Sequence, residues 1–191
     1  MIYETLHIIA SDLANAFVEL TEQTGIVELN HVGKLEEDGQ MDKVIISLVH
    51  VMQEATLKNL PNQIQQDNQV QRLNKKIPLN LYVIFCSNFS DYDNALKNLS
   101  FILEYFQAKK VFTDKNTFFN RESEMLRNLA DFRFSVELFS PSFDELNQIW
   151  GTLGGKQVLS AIYKVSVIDI ELRKPQSQVG QITSVQLKTQ G

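Results

Sequence analysis

The stretch from residue 79 to residue 112, LNLYVIFCSNFSDYDNALKNLSFILEYFQAKKVF, constrains the fold more than any other part of the chain. Apolar side chains occupy both faces of its first segment. Leu79, Leu81, Val83 and Phe85 would point one way, and Tyr82, Ile84 and Cys86 the other. Strands with this pattern lie inside sheets that are covered on both sides. The pattern therefore predicts a buried interior strand.

A long amphipathic helix is predicted directly after this strand. Ser90 and Asp93 fit a variant of the capping box in which Asp replaces Glu, so that hydroxyl and carboxylate bind backbone N–H groups at the helix start. The predicted buried stripe has the three- and four-residue spacing of one helix face and consists of Tyr92, Leu96, Leu99, Ile102, Leu103 and Phe106. Phe101 and Tyr105 widen this apolar face, and the stretch ends at the start of a further strand.

The N-terminal part of the chain carries a second helical stripe. It consists of Ile2, Leu6, Ile9, Leu13, Phe17 and Leu20. Gly25 is placed to end this helix with a left-handed residue. A short strand at 26–29 and a turn at 33–40 follow, and the apolar residues of 41–53 predict a strand covered on both faces.

The C-terminal half continues the alternation of strands and helices. Phe132, Phe134, Val136 and Leu138 alternate with polar residues, which is typical of a half-buried strand. A capping box of Ser142 and Glu145 predicts a short helix that Gly154 and Gly155 end. A long strand is predicted at 158–172. The residues alone therefore indicate an α/β globular domain.

Length and composition fit one domain, which we place at residues 1–173, followed by an extended tail at 174–191. Within it, the Gln- and Asn-rich segment 54–77 is predicted to be a polar loop, either mobile or ordered by a partner subunit. The formal net charge of -5 argues against nucleic acid as the main ligand, since phosphate binding needs clustered Lys and Arg. No apolar run approaches the roughly 20 residues that cross a bilayer, so direct membrane insertion is not expected.

No motif indicates catalysis, a cofactor or a metal site. His7, His31 and His50 lie in separate predicted elements, and Cys86 falls in an apolar run without a basic partner. The carboxylates of 36–38 read as a solvated turn, and no Gly-rich sequence opens a helix. We therefore expect no enzyme, no cofactor and no bound metal. The N-terminus lacks the basic region of a signal peptide, which favours folding in the cytoplasm.

Phe118 and Phe119 interrupt a polar loop at 114–124. Two adjacent aromatic residues in a loop belong either to a local core or to an exposed contact with a partner. We include both residues in the predicted partner interface.

Three segments resemble one known family: MIYETLHIIASDLANAF, LNLYVIFCSNFSDYDNALKNLSFILEYFQAKKVFT and SFDELNQIWGTLGGKQVLSAIYKV. The family is a small domain, long described only as a domain of unknown function. It lies at the N-terminus of cap proteins of extracellular contractile injection systems of the antifeeding-prophage and virulence-cassette class. The resemblance covers residues 1–172 and rests on the order of its motifs.

The resemblance implies a mixed, largely antiparallel sheet flanked by helices, as in phage tail terminators. It implies a structural cap without enzymatic activity, in which a homo-hexameric ring closes the distal end of the inner tube and the sheath and anchors the sheath. The partners implied are the sheath and inner tube proteins of the same phage tail-like particle. Assembly would take place in the cytoplasm, with the particle either released or anchored at a membrane such as the thylakoid. Some family members carry a further C-terminal domain.

The tail has a strand-like pattern just beyond the last predicted core strand, formed by Val179, Ile182, Val185 and Leu187. We expect these residues to add a strand to the sheet of a sheath subunit, since main-chain pairing tolerates varied side chains. The alternative is a disordered terminus. Two other functions stay open from the residues alone: a small-ligand or regulatory binding domain, and a hydrolase whose carboxylates meet only in space.

Overall fold

The computed structural model describes residues 2–36, 39–54, 63–66, 69–72, 78–121, 123, 126–127 and 129–172. The helices are α1 (Ile2–Thr21), α2 (Tyr92–Ala108) and α3 (Phe143–Thr152), with a 3-10 helix at Val32–Lys34. The strands are β1 (Val27–Leu29), β2 (Lys43–Gln53), β3 (Gln63–Gln66), β4 (Gln69–Arg72), β5 (Leu79–Asn88), β6 (Val111–Thr113), β7 (Leu129–Phe139) and β8 (Ser160–Leu172).

Six of the strands form one sheet in the order β1-β2-β5-β8-β7-β6. Only β1 and β2 pair in parallel; the other neighbours are antiparallel. β5 lies between β2 and β8, so the predicted interior strand is confirmed. The predicted class, an α+β fold with a mixed and largely antiparallel sheet flanked by helices, is also confirmed.

The larger hydrophobic core lies between one face of this sheet and the helices α1 and α2. Phe85 of β5 makes edge-to-face contacts with Phe106 of α2 and Tyr163 of β8, with ring centroids 5.1 and 5.4 Å apart. Leu81, Val83 and Phe85 all face this core, as the alternation along the strand predicts. The core joins both helices to the centre of the sheet.

A smaller core lies on the opposite face of the sheet, under α3 and the 3-10 helix. Ile84 and Cys86 of β5 point into it and meet Trp150 of α3, which is 4% exposed. The capping box of Ser142 and Glu145 and the positive φ angles of Gly154 and Gly155 delimit α3 as predicted. The molecule therefore has helices on both sides of its sheet.

The start of α2 differs from the prediction. Asp91, and not Ser90, is the N-cap residue, and its carboxylate accepts a hydrogen bond from Asn94 N at 3.1 Å. Ser90 instead donates from its backbone N and its hydroxyl to Asp42, which precedes β2. The capping-box spacing of Ser90 and Asp93 was therefore misleading, because Asp42 is a distant competitor that sequence spacing does not show.

The buried face of α2 is also rotated relative to the predicted stripe. The helix buries Ala95, Asn98, Ile102 and Phe106, whereas the predicted Tyr92 and Leu96 are 63% and 40% exposed. Leu99 and Leu103 lie at the margin of the core. Because α2 has more apolar surface than the sheet covers, one apolar flank of the helix stays open.

The end of α1 and the segment 54–77 depart from the predictions as well. α1 ends at Thr21, with Glu22 as the left-handed residue (φ 60°), while Gly25 (φ 68°) lies in the loop beyond. Leu20 is 72% exposed and does not extend the buried stripe. Within the predicted polar loop, the described residues form two short strands, β3 and β4, which pair antiparallel.

Candidate interface

A buried carboxylate ties together three parts of the fold on one flank of α2. Asp12 of α1 is 5% exposed and accepts hydrogen bonds from the Tyr105 hydroxyl, from Lys109 Nζ at 2.6 Å and from Phe118 N at 2.7 Å. A buried carboxylate needs such partners, because desolvation penalises an unpaired charge by several kcal/mol. We call Asp12, Tyr105, Lys109 and Phe118 N the Asp12 network.

Lys109 extends this network into the loop after β6. Its Nζ also donates to Asn116 O at 2.7 Å and lies 4.8 Å from the centroid of the Phe112 ring. Asn116 in turn accepts from Thr113 N and donates to Val111 O, which closes the loop on itself. The Asp12 network therefore fixes the backbone that carries Phe118.

The ionisation of Tyr105 reflects this environment. Burial, and then the hydrogen bond to the Asp12 carboxylate, raise the pKa of the Tyr105 hydroxyl above its usual range. The hydroxyl therefore keeps its proton and stays a donor to Asp12 throughout the ordinary pH range.

The two aromatic residues of the predicted interface are placed differently by this loop. Phe119 is 8% exposed, packs in the larger core and meets Phe132 edge-to-face at 5.5 Å. Phe118 is 56% exposed, and its backbone N is held by Asp12. Phe118 is thus an exposed ring on a fixed loop and Phe119 is its support. Their contact with a partner stays a prediction.

The other flank of α2 borders an open groove of about 710 Å³. It lies between α2, the ends of β5 and β7, and the start of β8, and its lining includes Tyr92, Leu99, Leu103, Leu138 and Leu146. An α-helix turns by about 100° per residue, so Leu99 and Leu103 are separated from Tyr105 by about 120° and 160° around the helix axis. The groove and the Asp12 network therefore lie on different flanks of α2. We call this surface the α2–β7 groove.

The chemistry of the α2–β7 groove is that of a contact surface. The residues that line it, all in the described part of the chain, include no Asp, Glu, His, Lys, Arg or Cys. A second depression of about 460 Å³, which shares Leu103 and Leu138, continues it towards Lys110 and Tyr163. The wall combines apolar side chains with the hydroxyl groups of Ser87, Tyr92, Ser140 and Ser160, so the groove offers apolar contact together with neutral polar groups.

The three histidines make separate local contacts. His7 packs against the Tyr3 ring with centroids 4.0 Å apart, and His31 caps the 3-10 helix by accepting a hydrogen bond from Gly33 N at 3.0 Å. His50 lies on β2, and its ring centroid is 6.3 Å from that of Tyr82. Among the described residues, no group of three or more His, Cys, Asp or Glu is arranged to hold a metal ion.

The other ionisable groups that the sequence brought to attention also occupy unrelated positions. Cys86 is fully buried, and burial raises the pKa of its thiol to about 12. Glu36 forms an exposed ion pair with Lys156, and the hydrogen bond from Lys156 lowers the pKa of the Glu36 carboxyl. Residues 37 and 38 lie outside the described part. No helix among the described residues is long and apolar enough to span a membrane.

The tail residues of the predicted interface, Val179, Ile182, Val185 and Leu187, lie outside the described residues. The sequence analysis missed the Asp12 network, whose members are separated from Asp12 by 93 to 106 positions. One signal was present: Asp12 lies four residues after Ile8 and four before Ala16, on the apolar face of α1. An acidic residue on such a face indicates a buried partner.

Comparison with known proteins gives one family and two informative structures. Residues 4–184 match the family described as the Pvc16 N-terminal domain. The sheath/tube terminator of an extracellular contractile injection system (PVC), in its extended state, is similar with a TM-score of 0.55 and 16% identity. The anti-feeding prophage cap (AFP tube terminating cap) is similar with a TM-score of 0.50 and 14% identity. No curated protein matches.

The extent of these structural matches differs between the chains. The terminator match covers 99% of this chain and 64% of the terminator, and the cap match covers 86% of this chain and 54% of the cap. This chain therefore spans less than two thirds of either protein. At these identities the two matches show the fold.

Proposed function

This chain belongs to the family of the Pvc16 N-terminal domain, and on that premise we propose that it acts as a structural tail terminator, or cap, of a contractile injection system. The family match over residues 4–184 carries the proposal. The two similar structures support it, since one is a sheath/tube terminator and the other a tube terminating cap.

The partners we propose follow from that role. The chain would contact the last layer of the inner tube and of the sheath and form a closed homo-hexameric ring with further copies. A ring requires a heterologous interface, in which two different surfaces of the subunit meet and the rotation closes. The described part of this chain offers two different candidate surfaces: the exposed Phe118 and the α2–β7 groove.

The proposed role needs no catalytic chemistry. A cap must resist the force of contraction, which favours a rigid body. The sheet with a core on each face and the Asp12 network provide such a body. The two similar structures, a terminator and a cap, support a non-enzymatic role. The proposal places the chain in a phage tail-like particle.

The domain division and the tail belong to the same proposal. Residues 1–173 would form the cap domain, and Val179, Ile182, Val185 and Leu187 would contact a neighbouring subunit of the particle. Phe118, supported by Phe119, would be a second contact, because an exposed aromatic side chain on a fixed backbone loses little conformational freedom on binding.

Deletion of the gene in the organism that produces the particle tests the role. We expect particles whose tubes have uncontrolled lengths or whose sheaths are unstable, and electron microscopy of purified particles measures both. Complementation with the full chain is the positive control. A deletion strain that yields particles of normal length with intact sheaths would contradict the terminator role.

A further inference from the structure

In the described part of the chain, the outer edge of β7 has no strand partner beside the α2–β7 groove. β6 pairs with β7 only at Val111–Thr113, opposite residues 133–135, and Lys110 O then accepts a hydrogen bond from Val136 N. Among the described residues, no strand pairs with the outer edge of β7 from Glu137 to Phe139. An unpaired strand edge accepts an added strand through its main-chain N–H and C=O groups.

The groove next to this edge exposes several apolar side chains. Leu138 is 56% exposed and Tyr92 is 63% exposed, and Leu99 and Leu103 also line the groove. Single exposed apolar residues are ordinary, but several of them beside an open strand edge are typical of a surface that another chain covers. The occupant should be extended, apolar at alternate positions, and uncharged.

One stretch of the tail has these properties, since residues 175–187 contain no charged residue and Val185 and Leu187 are apolar at alternate positions. The residues that line the α2–β7 groove are likewise uncharged, whereas Glu137 and Lys110 line the depression beyond it. In a strand, Val185 and Leu187 would point to the same side, because side chains alternate with a period of two. This segment can therefore supply both the main-chain groups and the apolar side chains that the edge and the groove accept.

The direction of β8 favours binding of the tail in the groove of a second copy over binding in the groove of its own chain. β8 begins in the groove at Ser160 and ends at Leu172, roughly 40 Å away at about 3.3 Å per residue. The 19 residues from 173 to 191 reach roughly 60 Å. To enter its own groove the tail would reverse and pass β6, which already occupies β7 at 133–135. The tail of a second copy is not constrained to approach β7 from Leu172 of the same chain.

We propose that residues 175–187 of one copy bind in the α2–β7 groove of a second copy and add a strand to the outer edge of β7 at Leu138. The contact is heterologous, since the tail and the groove are different surfaces, so repetition around a rotation axis builds a ring. This contact replaces the sheath subunit, the partner expected from the sequence, with a second copy of the chain. It does not depend on the terminator role.

Disulfide trapping between two single-site variants tests the proposal. Full-length chains carrying Leu138→Cys and Val185→Cys are purified separately, mixed and oxidised mildly. The native Cys86 should not form disulfides in this experiment, because it is fully buried and the pKa of its thiol is raised. Disulfides form only where Cα atoms come within roughly 7 Å, so we expect a mixed disulfide-linked dimer, visible on a non-reducing gel and by mass spectrometry.

The matched control is Leu20→Cys mixed with Val185→Cys. Leu20 is an exposed leucine on α1, which packs beside β1 at the opposite edge of the sheet. We expect the Leu138→Cys mixture to give several-fold more dimer than this control, and an excess of synthetic peptide 175–191 to lower that yield. Equal yields from the two mixtures would overturn the proposal.

Two further outcomes would assign the tail to another occupant and overturn the proposal. In the double variant Leu138→Cys/Val185→Cys, a disulfide only within one chain would place the tail in its own groove. With the sheath protein carrying single cysteines added, trapping of Val185→Cys on the sheath but not on Leu138→Cys would confirm the sheath as its partner. Leu138→Arg should weaken self-association by roughly tenfold or more in sedimentation experiments, with Leu20→Arg unchanged.

Discussion

The two flanks of α2 have opposite characters. On one flank, the buried Asp12 carboxylate joins α1, α2 and the loop after β6 through three donors. On the other, Leu99, Leu103 and Leu138 border a groove that no described element covers. The same helix is therefore fixed to the fold on one side and leaves apolar side chains open on the other. A buried polar network stabilises the chain, whereas the open apolar flank is where we propose that a second copy binds.

Asp12→Ala should cause the largest loss of stability. It leaves the Lys109 ammonium without its carboxylate and Phe118 N without its acceptor. Breaking a buried ion pair from one side costs about 3–5 kcal/mol, and chemical denaturation measures the change in the free energy of unfolding. Lys156→Ala, which removes the exposed partner of Glu36, is the control and should change little. A loss equal to that of the control would show that Asp12 does not hold the flank together.

The face alternation of the strands was predictable from sequence, because a period of two leaves few choices once a strand is apolar on both sides. The two sides of β5 went to the two cores as expected. The rotation of α2 was less predictable, since apolar residues surround more of the helix than the sheet covers. Asp12 could not be connected to Lys109 at all, because nothing local links residues 97 positions apart.

The exposure of Leu138 in the groove also could not be predicted from the sequence. Leu138 fits the alternation of β7, and the sequence accordingly predicted it to lie on the buried face. It is instead 56% exposed, because β6 is short and α2 does not extend over the end of β7. Whether an apolar position is covered depends on the length of distant elements, which a strand's own pattern does not contain.

Tyr105 should make the free energy of unfolding decrease at alkaline pH. Because its folded-state pKa is raised, the folded chain keeps a proton that the unfolded chain releases above about pH 10. The stability present below that pH is therefore lost as pH rises, by about 1.4 kcal/mol per pH unit for this group. Tyr105→Phe should make the slope of unfolding free energy against pH shallower.

Tyr92→Phe is the matched control for this slope, because Tyr92 is 63% exposed on the groove flank. It removes a tyrosine hydroxyl that takes no part in the Asp12 network. Tyr163, whose pKa burial raises to about 12, contributes to all three proteins alike. If Tyr105→Phe and Tyr92→Phe had the same slope as the unchanged chain, the environment of Tyr105 would be misassigned.

Asp91→Ala should have a smaller effect at the start of α2. The substitution removes the N-cap hydrogen bond to Asn94 N, which costs about 1 kcal/mol. If Ser90 and Asp93 formed the capping box that the sequence predicts, Asp93→Ala would destabilise the chain by a similar amount. We expect it to cost about 0.3–0.5 kcal/mol through the helix dipole alone. Thermal and urea unfolding distinguish the two, and a larger loss for Asp93→Ala would restore the sequence-based assignment.

Leu138→Arg should have the smallest effect on the stability of the isolated chain. Its side chain is 56% exposed, so a charged replacement reaches solvent, and we expect a change within about 0.5 kcal/mol. Comparison with Leu20→Arg under dilute conditions measures it. A large loss for Leu138→Arg alone would place the groove flank in the core and remove the contrast between the two sides of α2.

The position of this chain in the intact particle tests the terminator role most directly. Particles purified from a strain in which the chain carries a small N-terminal tag can be labelled with gold-coupled antibody and imaged by electron microscopy. The account predicts label at one end of each particle, opposite the baseplate, and a ring of density there in averaged images. Label along the sheath, at the baseplate end, or absent from particles that contain sheath and tube would contradict it.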